Sequence, residues 1–212
     1  MLDLRPLAPG GRVSTGLLGW YAGRLVFATS RRQYWELDAN GRPLVGLIGV
    51  GGGQESGESL PDAVRREAIE ETGSPVELIP AGGTIVCFEG GRLEGWPAQT
   101  DEPTPVLVWQ RVIRWLEDGG GPRPLAYATA VYEGRFLKEP SPAAETPGLV
   151  FLTEDQLLSL PTGPRPLAEL VAEGATVRWP EAPEGGLVNL SGSAHFLARH
   201  WFELKRGRNS DR

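Results

Sequence analysis

Three glutamates stand three and four residues apart near the middle of the chain, at Glu67, Glu70 and Glu71. In a helix this spacing places the three carboxylates on one face. The same face carries apolar residues earlier in the helix, at Leu60, Ala63 and Val64. A merely solvated acidic face, which is the alternative, would lie opposite the apolar stripe, whereas here the acids continue it. Partly desolvated carboxylates repel one another, so this cluster requires a positive partner.

A hard divalent cation, Mg²⁺ or Mn²⁺, suits a site built only from carboxylates. Arg66 lies one turn before Glu70 and can pair with it. One guanidinium cannot neutralise three carboxylates, however. We therefore predict a metal site on this helix.

The residues around the acids predict how the helix begins and ends. Ser59 is a suitable N-cap, and Asp62 three residues later completes a capping-box pattern. Gly73 is a suitable C-cap. Before the helix, the glycines at 51–53 allow close approach of the backbone to a ligand, and the strand predicted over Leu44–Val50 leads into them.

The stretch from Gly52 to Ser74 resembles the Nudix box of the Nudix hydrolases. Gly52 is followed after five residues by Glu58, and after seven more by the sequence Arg66-Glu67-Ala68-Ile69-Glu70-Glu71-Thr72-Gly73. Every charged and glycine position of the pattern is matched, whereas Ala68 and Ser74 depart from it at aliphatic positions. The resemblance covers about a tenth of the chain.

The resemblance implies an enzyme that hydrolyses a nucleoside diphosphate linked to another moiety, with Mg²⁺ or Mn²⁺ as cofactor. It implies that Glu67, Glu70 and Glu71 bind one to three metal ions, and we add the Gly51 carbonyl as a candidate fourth ligand. Water would attack one phosphorus of the diphosphate. The competing prediction is a Nudix-fold module that binds a nucleotide or nucleotide sugar without cleaving it, although a binder has no need of all three glutamates.

Other residues receive roles around this site. Arg66 is expected to orient the glutamates, and Glu58 to hydrogen-bond across to the helix. A general base is expected on a loop beyond the box: Glu145 is our candidate, and Glu102 and Glu139 compete with it. A solvated loop acid is the alternative for each of these three.

Substrate contacts are predicted from basic, aromatic and glycine residues. Arg31 and Arg32 can reach phosphates, although surface solubility explains them nearly as well. Gly52 and Gly53 are the loop glycines expected near substrate. Three aromatic residues can stack on a base or belong to the core, and they are Tyr34, Trp35 and Trp109. His195 and His200 are predicted to lie on a packing or dimer face of a last helix, not at a metal.

The order of predicted elements is mixed α/β. It is compatible with the α/β/α sandwich around a mixed sheet that the resemblance implies, with a C-terminal helical addition. A hairpin is predicted over Val13–Thr29, a polar loop over Gly90–Pro105 and a last helix over Ser193–Lys205. We divide the chain into a Nudix hydrolase domain at 1–180 and a C-terminal linker and helix at 181–212, packed on the same domain.

Composition limits the choice of partners and location. The net charge of −6 argues against stable nucleic-acid binding and against binding to anionic membranes. The single cysteine, Cys87, excludes an intrachain disulfide and is predicted to be buried. No signal sequence or membrane-spanning run is found, so we expect a cytoplasmic protein. A homodimer is common among the proteins that the chain resembles.

Overall fold

The computed structural model describes residues 2–98, 103–115, 123–143 and 146–200. Strands dominate these ranges, and four α-helices accompany them. The strands are β1 (Arg12–Tyr21), β2 (Arg24–Thr29), β3 (Glu36–Leu37), β4 (Pro43–Ile48), β5 (Val76–Ile79), β6 (Gly83–Cys87), β7 (Leu93–Pro97), β8 (Leu107–Trp115), β9 (Arg123–Phe136), β10 (Leu149–Leu152), β11 (Arg165–Pro166), β12 (Thr176–Arg178) and β13 (Leu187–Leu190). The helices are α1 (Leu60–Thr72), α2 (Glu154–Ser159), α3 (Leu167–Ala172) and α4 (Gly192–Arg199).

The strands form one mixed sheet. Its main path runs in the order β11, β13, β4, β2, β1, β9, β8, β6 and β7. β1 lies at the centre, antiparallel to β2 and parallel to β9. The long strand β9 also pairs with β8 and β5, so it connects both ends of the sheet.

The two faces of the sheet carry separate apolar cores because neighbouring strand residues point to opposite sides. Leu17 and Val26 belong to the core that contains α1, whereas Leu18 and Phe27 belong to the core that contains residues of α2, α3 and α4. Helices therefore cover both faces, which confirms the predicted α/β/α sandwich with a mixed sheet. Cys87 is buried, as predicted.

Several elements differ from the predicted ones. Within the predicted loop Gly90–Pro105, Leu93–Pro97 is a strand that pairs with β6, so the loop prediction is wrong there. The short strands β12 and β13 were not predicted. β13 pairs in parallel with β4, more than 100 residues away, and such pairing leaves no local signal. β4 ends at Ile48, two residues earlier than predicted.

The C-terminal part of the chain adds to the same sheet and core. β13 joins the sheet, and Ala194, Leu197 and Ala198 of α4 belong to the core that α2 and α3 share. Residues 201–205 of the predicted last helix lie outside the described residues. The domain division at 180 and 181 stays a prediction. Among the described helices, none has the length and apolarity that a membrane crossing would need.

Candidate active site

Helix α1 begins and ends at the predicted residues. The Ser59 hydroxyl oxygen accepts a hydrogen bond from the Asp62 main-chain N–H at 3.2 Å, and the hydroxyl donates to the Asp62 carboxylate at 2.6 Å. Asp62 therefore bonds the Ser59 side chain, whereas in a full capping box it would accept from the Ser59 main chain. Gly73 ends the helix with φ of +61°, a conformation that favours glycine.

The glycine loop before α1 is tied to the edge of β1. The Thr15 N–H donates to the Gly52 carbonyl at 2.8 Å. A Cβ atom at Gly51 would lie 2.2 Å from the Thr15 carbonyl oxygen, and one at Gly52 would lie 2.3 Å from a carboxylate oxygen of Glu67. A side chain at 51 would therefore clash with the backbone of β1, whereas one at 52 would displace the end of the Glu67 side chain, a predicted metal ligand.

Arg66 connects the loop to the helix with all five of its N–H donors. Its Nε and Nη2 bind the two carboxylate oxygens of Glu58 at 2.9 and 3.2 Å. Its Nη1 donates to Glu67 and to Glu70, both at 2.9 Å, and Nη2 also donates to the Gly53 carbonyl at 2.9 Å. The bonds to Glu58 chiefly raise the pKa of Arg66 and lower the pKa of Glu58. Glu58 thus hydrogen-bonds to a helix residue, and the role of Arg66 in orienting the glutamates stays a prediction.

The Glu71 carboxyl group lies in an environment that disfavours its charged form. Burial raises the pKa of its carboxyl group to about 7, although a hydrogen bond from the Gly51 N–H at 2.9 Å opposes that shift. Negative charge on Glu67 and Glu70 raises the pKa further, whereas Arg31 lowers it. A carboxylate in this environment would gain from a bound cation.

The three glutamates differ in exposure and in the partners that they face. The Glu67 side chain is 14% exposed, and the Glu70 side chain is 52% exposed, so Glu70 stands at the outer edge of the predicted stripe. Within the described part of the chain, no three acidic, histidine or cysteine side chains are grouped closely enough to hold a metal ion. The oxygen donors suit Mg²⁺ or Mn²⁺ in chemistry. To converge on one ion, Glu67 and Glu70 would have to turn away from Arg66.

A cavity of about 680 Å³ lies in front of these glutamates, and Glu67, Glu70 and Glu71 all line it. Arg31 and Tyr34 line the same cavity. This cavity brings together an acidic wall and a guanidinium, the two features that a metal-bound diphosphate would contact.

The other predicted substrate residues lie elsewhere. Arg32 and Trp35 line a neighbouring cavity that contains none of the three glutamates. Arg32 begins a short 3₁₀ turn, Arg32–Tyr34, and this turn sends neighbouring side chains to different cavities. Gly53 accepts a hydrogen bond from Arg66 through its carbonyl and forms a β-bridge with Ser14, and it does not line the glutamate cavity.

The candidates for general base have different outcomes. Glu145 and Glu102 lie outside the described residues. Glu139 forms an ion pair with Arg178, and its side chain is 53% exposed. Glu139 is not among the residues that line the glutamate cavity. Glu145 stays a prediction.

The aromatic and histidine side chains near the C-terminus pack on one another. The Trp109 ring stacks on Phe196, with 6.1 Å between ring centroids, and does not line the glutamate cavity. Phe196 in turn stacks on His200 at 4.3 Å. Phe196 and His200 thus pack within the described chain, and the packing or dimer face predicted for His195 and His200 stays a prediction.

Four polar residues of the glutamate cavity were not predicted from the sequence, and they are Thr29, Ser30, Thr146 and Ser191. Thr29 ends β2, and Ser191 precedes α4. Their positions depend on the sheet topology, because β4 pairs with β2 and with β13 only after folding. The Thr29 hydroxyl is buried and has no hydrogen-bond partner in the described structure. The one sequence signal for Thr29 is that it is a polar residue at the end of a predicted strand.

No family model and no curated protein sequence matches the chain. Its structure is similar to that of a Nudix-family hydrolase from Clostridium perfringens, with 15% identity and a TM-score of 0.46 over 92% of this chain and 97% of the other. A UDP-X diphosphatase has 15% identity and a TM-score of 0.48 over 100% of this chain and 74% of the other. An ADP-ribose pyrophosphatase from Streptococcus suis has 16% identity and a TM-score of 0.37 over 68% and 75%.

Proposed function

We propose that this chain is a Nudix-type hydrolase that cleaves the diphosphate bond of a nucleoside diphosphate linked to another moiety, with Mg²⁺ or Mn²⁺ as cofactor. The observation that supports it best is the cavity in which Glu67, Glu70 and Glu71 form one wall beside Arg31. The acids belong to the Nudix-box pattern, and Arg66 donates hydrogen bonds to two of them, Glu67 and Glu70.

In this proposal Glu67, Glu70 and Glu71 hold the metal, with the Gly51 carbonyl as a candidate fourth ligand. A bound divalent cation would supply a Lewis acid that neutralises the diphosphate and makes water more acidic. The other steps belong to the protein. Arg31 binds a phosphate oxygen, and Arg66 orients Glu67 and Glu70, so that positioning and electrostatics lower the barrier.

Two carboxyl groups, those of Glu71 and Glu145, are proposed to take part in proton transfer or metal binding. The Gly51 N–H orients the Glu71 carboxyl group, whose raised pKa of about 7 lets it hold a proton near neutral pH. Glu71 would have to give up that proton to serve as a metal ligand. Glu145 is our proposed base for the attacking water. Because the reaction is hydrolysis, one P–O bond breaks, one P–O bond to water forms, and the water proton passes to the base.

Purified protein with Mg²⁺ or Mn²⁺ should hydrolyse at least one member of a panel of nucleoside diphosphate derivatives, measured as released phosphate or nucleoside monophosphate. We expect Glu70→Gln and Glu71→Gln to lower turnover by at least about 100-fold, because each loses a metal ligand. Glu77→Gln, at an exposed strand position, is the matched control and should retain activity. Near-native rates in both box variants would refute the ligand assignment.

One observation favours a second candidate, a module that binds a nucleotide or nucleotide sugar without cleaving it. In the described ranges the three glutamates do not converge as a ready metal site. Such a module would bind members of the same panel with measurable affinity, and it would release no product at any metal concentration.

A further inference from the structure

A second cavity, of about 740 Å³, lies beside the glutamate cavity. Two segments supply most of its lining: Arg32, Trp35, Glu36 and Leu37 from the first, and Trp179, Pro180, Glu181 and Pro183 from the second. Pro43 and Pro147 also line it. None of the Nudix-box residues contributes to this cavity, so the proposed hydrolysis does not explain it.

Two indole rings of fixed orientation lie in the wall of this cavity. Trp35 and Trp179 pack edge to face, with 5.6 Å between their centroids and an interplanar angle of 82°. The Trp35 Nε1–H donates to the Ser30 carbonyl at 2.8 Å, which holds its ring in place. At Gly148 a Cβ atom would lie 2.3 Å from the Trp179 ring, so the glycine lets that ring pack against the backbone. Rigid aromatic walls of this kind suit a flat ligand.

The Trp179 indole N–H is a buried donor beside this cavity. Trp179 is 7% exposed, and its Nε1 has no hydrogen-bond partner among the described residues. A buried indole N–H usually donates to an acceptor. The Nε1 atom is closed to solvent, so an acceptor of a ligand would reach it only after the Trp179 ring turned toward the cavity.

The charged residues of the cavity limit the charge of the ligand. Glu36 and Glu181 line it together with a single basic residue, Arg32. Two carboxylates disfavour an anionic group, and they can accept hydrogen bonds from N–H donors of a neutral ring. We infer that this cavity, named here the tryptophan cavity, binds a neutral planar heteroaromatic ring of the nucleobase class.

The ring could come from two sources, because neighbouring residues line the two cavities. Arg31 and Tyr34 line the glutamate cavity, whereas Arg32 and Trp35 line the tryptophan cavity. In the segment before β10, Thr146 lines the first cavity and Pro147 the second. The ring is either part of the molecule whose phosphates occupy the glutamate cavity or a separate ligand. The inference about the tryptophan cavity does not depend on the proposed hydrolysis.

The test is nucleoside binding to the metal-free protein, measured by equilibrium dialysis and ligand-detected NMR with adenosine, cytidine and uridine. Trp35→Phe and Trp35→Leu both remove the hydrogen bond to Ser30, but only Trp35→Leu removes the aromatic ring. We expect Trp35→Leu to weaken binding at least fivefold, about the lower end of what one stacking ring contributes, and Trp35→Phe to retain most of the affinity. Trp109→Leu removes a ring that stacks on Phe196 outside both cavities, and it should bind as the wild type does.

Three results would overturn the inference: no nucleoside binding by the wild-type protein, equal binding by Trp35→Leu and Trp35→Phe, or an equal loss in Trp109→Leu. Melting curves of all variants show whether each remains folded, and Trp179→Phe, which removes only the unpartnered N–H and part of the ring, gives a second measure of the same cavity.

Steady-state kinetics separate the two sources of the ring. If a hydrolysed substrate is found, a raised KM in Trp35→Leu with unchanged kcat places the ring on that substrate. Loss of nucleoside binding with unchanged KM places it on a separate ligand. Failure of hydrolysis leaves the binding result intact.

Discussion

The Glu71 side chain combines burial with two neighbouring carboxylates, and its contribution to stability therefore depends on pH. Its pKa is raised from 4.5 to about 7 in the folded protein. Between these values the folded state binds more protons than the unfolded state, so the free energy of unfolding falls as pH rises. The full shift corresponds to about 3 kcal/mol.

Glu71→Gln should therefore stabilise the metal-free protein at pH 8 and make its stability less dependent on pH between 4.5 and 7. Urea unfolding in EDTA at several pH values measures this. Glu77→Gln, an exposed acid outside the cavity, should leave the wild-type pH curve unchanged. A Glu71→Gln variant that is less stable than wild type at pH 8 would contradict the burial account.

The hydrogen bonds of Arg66 connect the glycine loop to helix α1. Arg66→Lys keeps the charge but cannot satisfy Glu58, Glu67, Glu70 and the Gly53 carbonyl together, because lysine has three donors and no planar fork. We expect it to cost about 1–3 kcal/mol of stability, the usual effect of leaving partly buried acceptors unpaired. Denaturant unfolding measures that loss.

Arg65→Lys is the matched control for Arg66→Lys. Arg65 is the preceding helix residue and makes an exposed ion pair with Asp62 at 3.1 Å. Its replacement should change stability by less than about 0.5 kcal/mol. Equal stability of the two variants would mean that the Arg66 network does not hold the loop to α1.

At the scale of elements, the contact between the glycine loop and α1 fixes where Glu67 lies. A methyl group at 52 would meet the Glu67 carboxylate at 2.3 Å, whereas a Cβ atom at Gly53 would meet nothing within 4 Å. Neither glycine has a positive φ, so backbone strain does not distinguish them.

Gly52→Ala should displace Glu67 and lower turnover by about 100-fold, the usual effect of a misplacement near 1 Å. Gly53→Ala should retain turnover within a few-fold, and both variants should unfold at similar temperatures. Steady-state assays with the best substrate of the panel measure this. Equal turnover of the two variants would show that the close approach of Gly52 to Glu67 does not affect catalysis.

Local signals explain which elements could be predicted from the sequence. The caps Ser59 and Gly73 and the turn at Ala22–Gly23 are local, so α1 and the hairpin were predicted nearly to the residue. The 3₁₀ turn at Arg32–Tyr34 carries no comparable signal. For that reason Arg31, Arg32 and Trp35 were predicted to contact one substrate. In the structure Arg31 lines the glutamate cavity, whereas Arg32 and Trp35 line the tryptophan cavity.

In the molecule as a whole, the strands and residues that were not predicted are those placed by pairing between segments distant in sequence. The strand Leu187–Leu190 is short, and its partner Leu44–Leu47 is distant in sequence, so neither its presence nor the nearby Ser191 could be inferred. Trp179 was missed for the same reason, since its meeting with Trp35 depends on β10 and β12 pairing. The box acids needed no such information, because one helix holds them all.

Binding of a divalent cation should stabilise the entire fold, because the cation binds the folded chain only. At a concentration 100 times its dissociation constant, Mg²⁺ would add about 2.7 kcal/mol to the free energy of unfolding. We expect a rise in melting temperature for wild type and little or none for Glu71→Gln. An equal rise in both would place the binding of Mg²⁺ away from Glu71.

Anomalous diffraction from a crystal soaked in Mn²⁺ would show whether Glu67, Glu70 and Glu71 together bind a divalent metal. We expect an anomalous peak in the glutamate cavity, within coordination distance of carboxylate oxygens from these side chains. We also expect Glu67 and Glu70 to have moved away from Arg66. A well-ordered cavity without such a peak, with both acids still bonded to Arg66 at saturating Mn²⁺, would refute metal binding by these three glutamates.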